Sequence, residues 1–155
     1  MKKKRKETLS RRLKRRGCKK EWKSILGGVP KDSPALSQAY LLTRKASRVG
    51  FDWPNVEGVL NKLDEEIREF REALSVRDRR KIREEIGDIL FVMANVSRFL
   101  QIDPEGALKK TLHKFVSRFH YIETSLQRAG KPFNESNLIE MNRLWEESKR
   151  KEKKG

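Results

Sequence analysis

The sequence of 155 residues contains a single cysteine, Cys18, and only two histidines. One cysteine cannot form an intramolecular disulfide, and it excludes a metal site built from several thiolates. The sequence also has no apolar run near the roughly 18 residues that cross a membrane as a helix. Its longest apolar stretch, residues 86–100, is interrupted by Asp88, Asn95 and Arg98. We therefore expect a cytoplasmic protein without a membrane span.

Patterns typical of β-strands are scarce as well. Alternating β-branched or aromatic residues are rare, and charged residues make up 39% of the chain against 35% that are hydrophobic. This composition favours helices with solvated faces over sheets. The length is sufficient for one domain with its own core. The predicted fold class is all-α, a four- to five-helix bundle that we expect to be completed by dimerisation.

The positive charge is concentrated at the N-terminus. Residues 1–23 contain thirteen Lys or Arg and two Glu, so they carry +11 of the net charge of +16. We predict a disordered basic tail over residues 1–23, a linker over 24–33 and a helical domain over 34–150. Such a tail would bind nucleic-acid phosphates without sequence specificity. A nucleic-acid-binding protein is therefore the alternative to an enzyme.

Five helices are predicted from apolar periodicity and from cap residues. Ser33 is the expected cap of the first helix, which ends near Gly50. The next three span about 55–74, from after the connection "SVRD" to Leu100, and from Pro104 to about 126. A last helix is predicted over 135–149. The fourth helix carries an apolar stripe with alternating steps of four and three, as in helix bundles: Leu108, Leu112, Phe115, Phe119, Ile122 and Leu126.

A repeated octad provides the main indication of function. Residues 62–69, "KLDEEIRE", and residues 81–88, "KIREEIGD", agree in kind at six of eight positions. A short loop joins their helices, so the helices run antiparallel and the octads lie at the same height. Carboxylates brought this close repel each other, and a divalent cation removes that penalty. Oxygen ligands suit Mg²⁺ or Mn²⁺. The expected metal ligands are Glu66, Glu69, Glu85 and Asp88.

Other interpretations of these residues remain open. Each octad alone is also typical of a solvated helix face, because a lysine precedes a glutamate by four residues in both. Gly87 either leaves room for metal, water or phosphate, or permits close helix packing. Asn95 either recognises a ligand or is a satisfied buried amide, and Trp145 either belongs to the core or stacks on a base.

The spacing of the acids resembles that of a known superfamily. Glu-Glu-x-x-Glu at 65–69 followed by Glu-x-x-Asp at 85–88 is similar to the motif of the all-α nucleoside triphosphate pyrophosphohydrolases. The stretches "VGFDWP", "EEIGDILF", "NVSRFLQIDPEGAL" and "KFVSRFHYIE" more closely resemble the C-terminal catalytic domain of MazG, over about 22–149. The resemblance implies Mg²⁺-dependent hydrolysis of several canonical or aberrant triphosphates to the monophosphate and pyrophosphate. It also implies a homodimer, whose partner chain can finish the pocket.

The resemblance further implies roles for individual residues. Either Glu65 or Glu69 is expected to position or deprotonate the attacking water. The implied catalytic set is Glu65, Glu66, Glu69, Glu85, Asp88 and Lys62. The implied substrate contacts are Lys62, Lys81, Lys114, Arg118 and Lys149, with Trp145 on the base. Typical MazG chains carry a second, similar domain before this one, so we expect either a one-domain version here or a chain that lost its partner domain.

Overall fold

The computed structural model describes residues 24–152, and the predicted tail lies outside this range. The range contains no strand, so the all-α prediction is confirmed for the part of the chain that is described. None of its helices is long and apolar enough to cross a membrane. The helices are α1 (Ala35–Ser47), α2 (Val56–Ser75), α3 (Arg79–Phe99), α4 (Pro104–Arg128) and α5 (Leu138–Glu152).

Side-chain caps begin the three central helices. Asn55 Oδ1 accepts a hydrogen bond from the Gly58 backbone N–H at 3.0 Å at the start of α2. Asp78 and Asp103 accept from backbone N–H groups in the first turns of α3 and α4. These bonds satisfy donors that have no partner within the helix. Local sequence therefore determines where the central helices begin.

Two predicted helix starts were wrong. Pro34, not Ser33, occupies the cap position of α1, because the Ser33 hydroxyl donates instead to the Pro30 carbonyl at 2.7 Å. The last helix begins at Leu138 rather than at 135. Residues Phe133–Glu135 form a separate 3₁₀ turn, and extended backbone at Ser136 separates that turn from α5.

Helices α2 and α3 share one core, and α1 packs against α3. Val59 of α2 and Val92 and Val96 of α3 are buried, and Leu63 and Phe99 pack against them. We call α1, α2 and α3 the three-helix unit. Its α2–α3 hairpin turns at Arg77, whose φ is 56°. The hairpin brings the two acidic octads side by side.

Helices α4 and α5 pack around a second core. Ile122 and Leu126 of α4 and Leu144 of α5 are buried together, with Met141 and Trp145 against them. We call α4 and α5 the two-helix unit. No Cα atom of α4 or α5 lies within 8 Å of a Cα atom of α2, and α5 approaches α4 but not α3. The two units therefore have separate cores within the described chain.

The apolar stripe predicted on α4 is buried along only part of its length. Ile122 and Leu126 are 3% exposed, whereas Leu112 is 54% and Phe115 is 55% exposed. The reason is that α5 contributes its core contacts near the C-terminal end of α4. Helix α3 also exposes large apolar side chains, among them Leu90 and Met93. Several large apolar side chains exposed on one protein are typical of an interaction site when they adjoin one another.

Candidate metal centre

Three acidic side chains meet between α2 and α3. One carboxylate oxygen each from Glu66, Glu85 and Asp88 lie within 4.8 Å of one another. Glu66 and Glu85 are buried, and Asp88 is exposed at the opening of the cluster. The antiparallel hairpin explains the proximity, because it places the two octads at one height. We call these three residues the acidic cluster.

Glu85 is the least satisfied member of the acidic cluster. Its Oε2 atom is buried and has no hydrogen-bond partner among residues 24–152. Burial, then the nearby charges of Glu69 and Glu66, raises the pKa of the Glu85 carboxyl. A buried carboxylate oxygen without a donor is costly unless a cation accompanies it. The donors are all carboxylate oxygens, so the cluster fits Mg²⁺ or Mn²⁺.

Lys62 is part of the same hydrogen-bonded group. Its Nζ lies 2.8 Å from Glu66 Oε1 and 2.9 Å from Glu65 Oε1. Hydrogen bonds to Glu66 and Glu65 raise the pKa of the Lys62 ammonium, which therefore stays charged. Lys62 and Glu66 are four residues apart, the spacing of ion pairs on a solvated helix face, but the side chain of Glu66 is only 7% exposed. This pair is thus buried on its acidic side.

Glu69 and Lys81 lie beside the acidic cluster rather than in it. Glu69 is half-buried and close enough to raise the pKa of Glu85, but it is not one of the three clustered acids. Lys81 is exposed and lines a cleft with Glu69, and among the described residues it forms no ion pair with Glu85. The structure thus brings together three of the four predicted ligands and places the fourth next to them.

The remaining predicted substrate contacts lie on the two-helix unit. The Arg118 guanidinium donates to Glu152 at 2.8 Å, and Lys149 Nζ lies 2.9 Å from Glu146. Lys114 is exposed. Arg118 and Lys149 pair with acids of α5, and among residues 24–152 none of these three cations forms an ion pair with the acidic cluster.

Trp145 belongs to the core of the two-helix unit. Its ring centroid is 5.5 Å from that of Phe115, and the Arg118 guanidinium carbon lies 5.5 Å from the Trp145 ring. The side chain is half-buried against the second core. The structure therefore agrees with the interpretation of Trp145 as a core residue. Stacking on a base would involve only the part of the ring that Phe115 and Arg118 do not cover.

One polar network was missed by the sequence analysis. Asn95 is 2% exposed, and its Oδ1 accepts a hydrogen bond from Arg98 Nε at 2.8 Å. Arg98 Nη1 in turn donates to Asp52 Oδ2 at 3.0 Å. The available signal was weak: an arginine inside an apolar stretch, and an aspartate 46 residues earlier. No helical periodicity pairs residues so far apart in sequence.

The fold is all-helical over the described residues, and its antiparallel hairpin brings carboxylates together, two of them buried. These features define the class: a helical protein with a candidate divalent-cation centre. Residues 55–122, which contain the whole acidic cluster, match the model of the MazG nucleotide pyrophosphohydrolase domain. These residues are thus similar to the MazG domain, and the resemblance predicted from the sequence is confirmed.

Curated relatives agree with this assignment. The chain is 42% identical over 130 residues to the nucleoside triphosphate pyrophosphohydrolase/pyrophosphatase MazG of Thermotoga maritima, covering 84% of this chain and 50% of that protein. It is 35% identical over 131 residues to the nucleoside triphosphate pyrophosphohydrolase of Escherichia coli K12, covering 83% of this chain and 50% of the relative. The chain therefore spans about half the length of these relatives.

Proposed function

We propose that this protein hydrolyses nucleoside triphosphates to the nucleoside monophosphate and pyrophosphate, with Mg²⁺ or Mn²⁺ as its cofactor. The observation that carries the proposal is the acidic cluster, with its buried and unpartnered Glu85 oxygen, inside the matched domain. The two relatives described above carry names that state this activity. We propose a house-cleaning role on several canonical or aberrant ribo- and deoxyribonucleotides.

Glu66, Glu85 and Asp88 would hold the cation, with Glu69 beside them as a fourth ligand or as the residue that contacts water. When bound, the cation neutralises phosphate oxygens and favours the charge that develops on them in the transition state. Lys62 fixes the position of the Glu66 carboxylate, because its Nζ lies 2.8 Å from Glu66 Oε1. It also directs a positive charge toward incoming phosphates.

Glu69 is the better candidate to accept a proton from the attacking water. Glu65 is already paired with Lys62 at 2.9 Å, whereas Glu69 has no ion pair among the described residues. In the proposed step the water oxygen bonds to one phosphorus of the α–β anhydride. The bridging P–O bond then breaks, and its electron pair leaves with the departing phosphate group. Glu69 takes the proton that the water loses.

We further propose a homodimer in which the two-helix unit of one chain faces the acidic cluster of the other. Two observations support it: the units do not meet through α2 within one chain, and α3 and α4 expose large apolar side chains. In such a dimer the cations of the two-helix unit reach the substrate phosphates of the partner's site. The predicted contacts placed there are Lys114, Arg118, Lys149 and Trp145, while Lys81 acts in the same chain as the acids.

The test is direct assay of both products. The protein is incubated with each common triphosphate and Mg²⁺, and pyrophosphate and monophosphate are quantified. Glu66→Gln and Asp88→Asn should each lower the rate more than about 100-fold. Mutation of residues that only hydrogen-bond to a metal ligand already costs 10- to 100-fold. Glu84→Gln is the matched control, because Glu84 lies in the same octad with its side chain 55% exposed.

Two outcomes would contradict the proposal at different points. Absence of pyrophosphate from every triphosphate would exclude the activity. Hydrolysis that persists in both acid variants would exclude the acidic cluster as its site. To choose the residue that contacts water, Glu69→Gln is compared with Glu65→Gln. We expect a loss of about 10²- to 10⁴-fold for Glu69→Gln, the usual contribution of a general base, and a smaller loss for Glu65→Gln.

A further inference from the structure

Arg118 of α4 is held by a carboxylate at the end of α5. Its Nε donates to Glu152 Oε1 at 3.2 Å and to Oε2 at 3.1 Å, and its Nη2 donates to Oε2 at 2.8 Å. Bonds from two nitrogens to one carboxylate fix the direction of a guanidinium as well as its place. The side chains of Arg118 and Glu152 are 20% and 35% exposed, so the pair is partly shielded from water. Such a pair is firmer than an ordinary surface ion pair.

One face of the same guanidinium lies over an aromatic ring. The Arg118 Cζ atom is 5.5 Å from the centre of the Trp145 ring, within the range of a cation–π contact. Trp145 is itself held in place, because it packs against the second core and its ring centroid lies 5.5 Å from that of Phe115. Arg118 is thus fixed on one edge by Glu152 and on one face by Trp145. We call Arg118, Glu152 and Trp145 the guanidinium clamp.

The guanidinium clamp leaves donors of Arg118 for another anion. The side-chain hydrogen bonds of Arg118 within residues 24–152 start from Nε or Nη2, and all of them end at Glu152. A guanidinium carries five N–H donors, so those of Nη1 are left at the far end of the group. A phosphate can accept bonds at that end in the bidentate manner. If Glu152 served to block Arg118, it would cover this end rather than the Nε edge.

Glu152 remains charged at neutral pH. The hydrogen bonds from Arg118 hold the pKa of the Glu152 carboxyl below its usual 4.5, and the charges of Arg118 and Lys114 add to this effect against the opposing effect of burial. The same hydrogen bonds raise the pKa of Arg118. Lys114 precedes Arg118 by one helical turn, so both lie on one edge of α4. Glu152 is therefore close to both cations of α4 that are expected to contact phosphate.

We propose that Glu152 is a positioning residue, which fixes Arg118 so that the remaining donors of the guanidinium meet the substrate phosphates. This role rests on the proposed function, in which Arg118 contacts those phosphates. A mobile arginine loses side-chain entropy when it binds an anion, whereas an arginine that is already fixed loses little. Glu152 thus strengthens substrate binding without touching the substrate.

The first test is a double-mutant cycle on triphosphate hydrolysis. Glu152→Gln keeps the size of the side chain but removes the charge and one of its two acceptor oxygens. In the parent protein it should raise KM about two- to tenfold, the usual cost of immobilising one long side chain on binding, and change kcat by less than about twofold. In an Arg118→Ala protein the same substitution should change neither constant, because the residue through which Glu152 acts is absent.

Glu147→Gln is the matched control. Glu147 also joins α5 to α4, because its Oε1 accepts a hydrogen bond from the Tyr121 hydroxyl at 2.6 Å, and its side chain is 34% exposed. Neither Glu147 nor Tyr121 belongs to the proposed site. The control should therefore leave KM unchanged, although it removes a bond of the same kind between the same two helices.

Other results of the cycle would overturn the proposal. A lower KM in Glu152→Gln would show that Glu152 masks Arg118 instead of positioning it. A fall in kcat at unchanged KM would show a structural role, since a smaller folded fraction lowers only the apparent kcat. An equal effect in the parent and in Arg118→Ala would show that Glu152 does not act through Arg118, and so would an unchanged KM in the parent.

A second measurement needs no catalysis. In ¹⁵N-labelled protein the Arg118 Nε–H resonance is identified by its loss in Arg118→Ala. The bonds to Glu152 should slow exchange of this hydrogen with water, and Glu152→Gln should restore rapid exchange whereas Glu147→Gln should not. Inorganic tripolyphosphate with Mg²⁺ should shift the resonance in the parent protein.

The resonance separates failure of this proposal from failure of the proposed function. Rapid exchange in the parent protein, or no shift with saturating tripolyphosphate, would contradict the positioning of Arg118 toward phosphate. Slow exchange and a clear shift in a protein that releases no pyrophosphate would exclude the proposed hydrolysis, while the role of Glu152 in holding Arg118 for a phosphate would stand.

Discussion

The separation of the acidic cluster from the cations of the two-helix unit leads to a complementation experiment. Asp88→Asn removes an exposed member of the acidic cluster, and Arg118→Ala removes a guanidinium on α4. If one chain supplies the acids and its partner supplies the guanidinium, each variant alone has two defective sites per dimer. A mixed dimer differs, because one of its sites carries both substitutions and the other carries neither.

The expected recovery follows from counting sites. Random exchange at equal concentrations makes half of all dimers mixed, and half of the sites in a mixed dimer are intact. About one quarter of the parent activity should therefore return, as for any site shared across a two-fold interface. The recovery should be largest at a mixing ratio of one to one. Neither variant alone should exceed a few per cent of the parent rate.

The assay follows pyrophosphate release after the two purified variants are mixed in mild urea and returned to buffer. Native mass spectrometry of differently tagged chains verifies that exchange has occurred. The matched control mixes Asp88→Asn with Glu66→Gln. Both residues lie in the acidic cluster of one chain, so no site in that mixture is intact. Exchange without recovery in the first mixture, or equal recovery in the control, would refute a site shared between chains.

Three further predictions concern the described chain itself. Burial, then the charges of Glu69 and Glu66, raises the pKa of Glu85 from its usual 4.5. Without metal, the contribution of Glu85 to stability is therefore complete below about pH 4.5 and is lost as the pH rises through the folded-state pKa. Urea unfolding in EDTA should show this loss of stability, and either Mg²⁺ or Glu85→Gln should abolish the pH dependence. Gly87→Ala should raise the free energy of unfolding by about 1 kcal/mol but lower the rate of pyrophosphate release; an unchanged rate would show that the space is not used. Leu126→Ala, at a side chain 3% exposed, should lower the free energy of unfolding by about 2–5 kcal/mol in urea titrations, and a change within 0.5 kcal/mol, the usual surface effect, would contradict the second core.

The proximity of the acids was predictable because it depends on local rules alone. Helical periodicity places Glu66 on one face of α2, and Glu85 and Asp88 on one face of α3. The loop between the helices is too short for any arrangement but an antiparallel hairpin. Once those two facts hold, the octads must lie at one height, and the three oxygens within 4.8 Å follow. The assays proposed above test whether these oxygens bind a divalent cation.

The division into two cores was not predictable by the same reasoning. Apolar periodicity indicates that a helix face is buried, but it does not say against which partner. Leu112 and Ile122 belong to one stripe on α4, yet they are 54% and 3% exposed. The difference depends on where α5 crosses α4, which is decided by long-range packing. The Asp52–Arg98 pair escaped detection for the same reason, since only the tertiary fold brings its members together.

Gly87 shows how the two levels combine. The sequence left two explanations, space for a ligand or close packing between helices. In the described chain a Cβ at this position would meet no atom within 4 Å, so the packing of α2 against α3 does not require a glycine. A glycine inside a helix nevertheless costs about 1 kcal/mol relative to alanine. No contact within the described chain offsets that cost. We therefore predict that a group from outside uses this space, either the phosphates of the substrate or the two-helix unit of a second chain, and the Gly87→Ala assay tests this prediction.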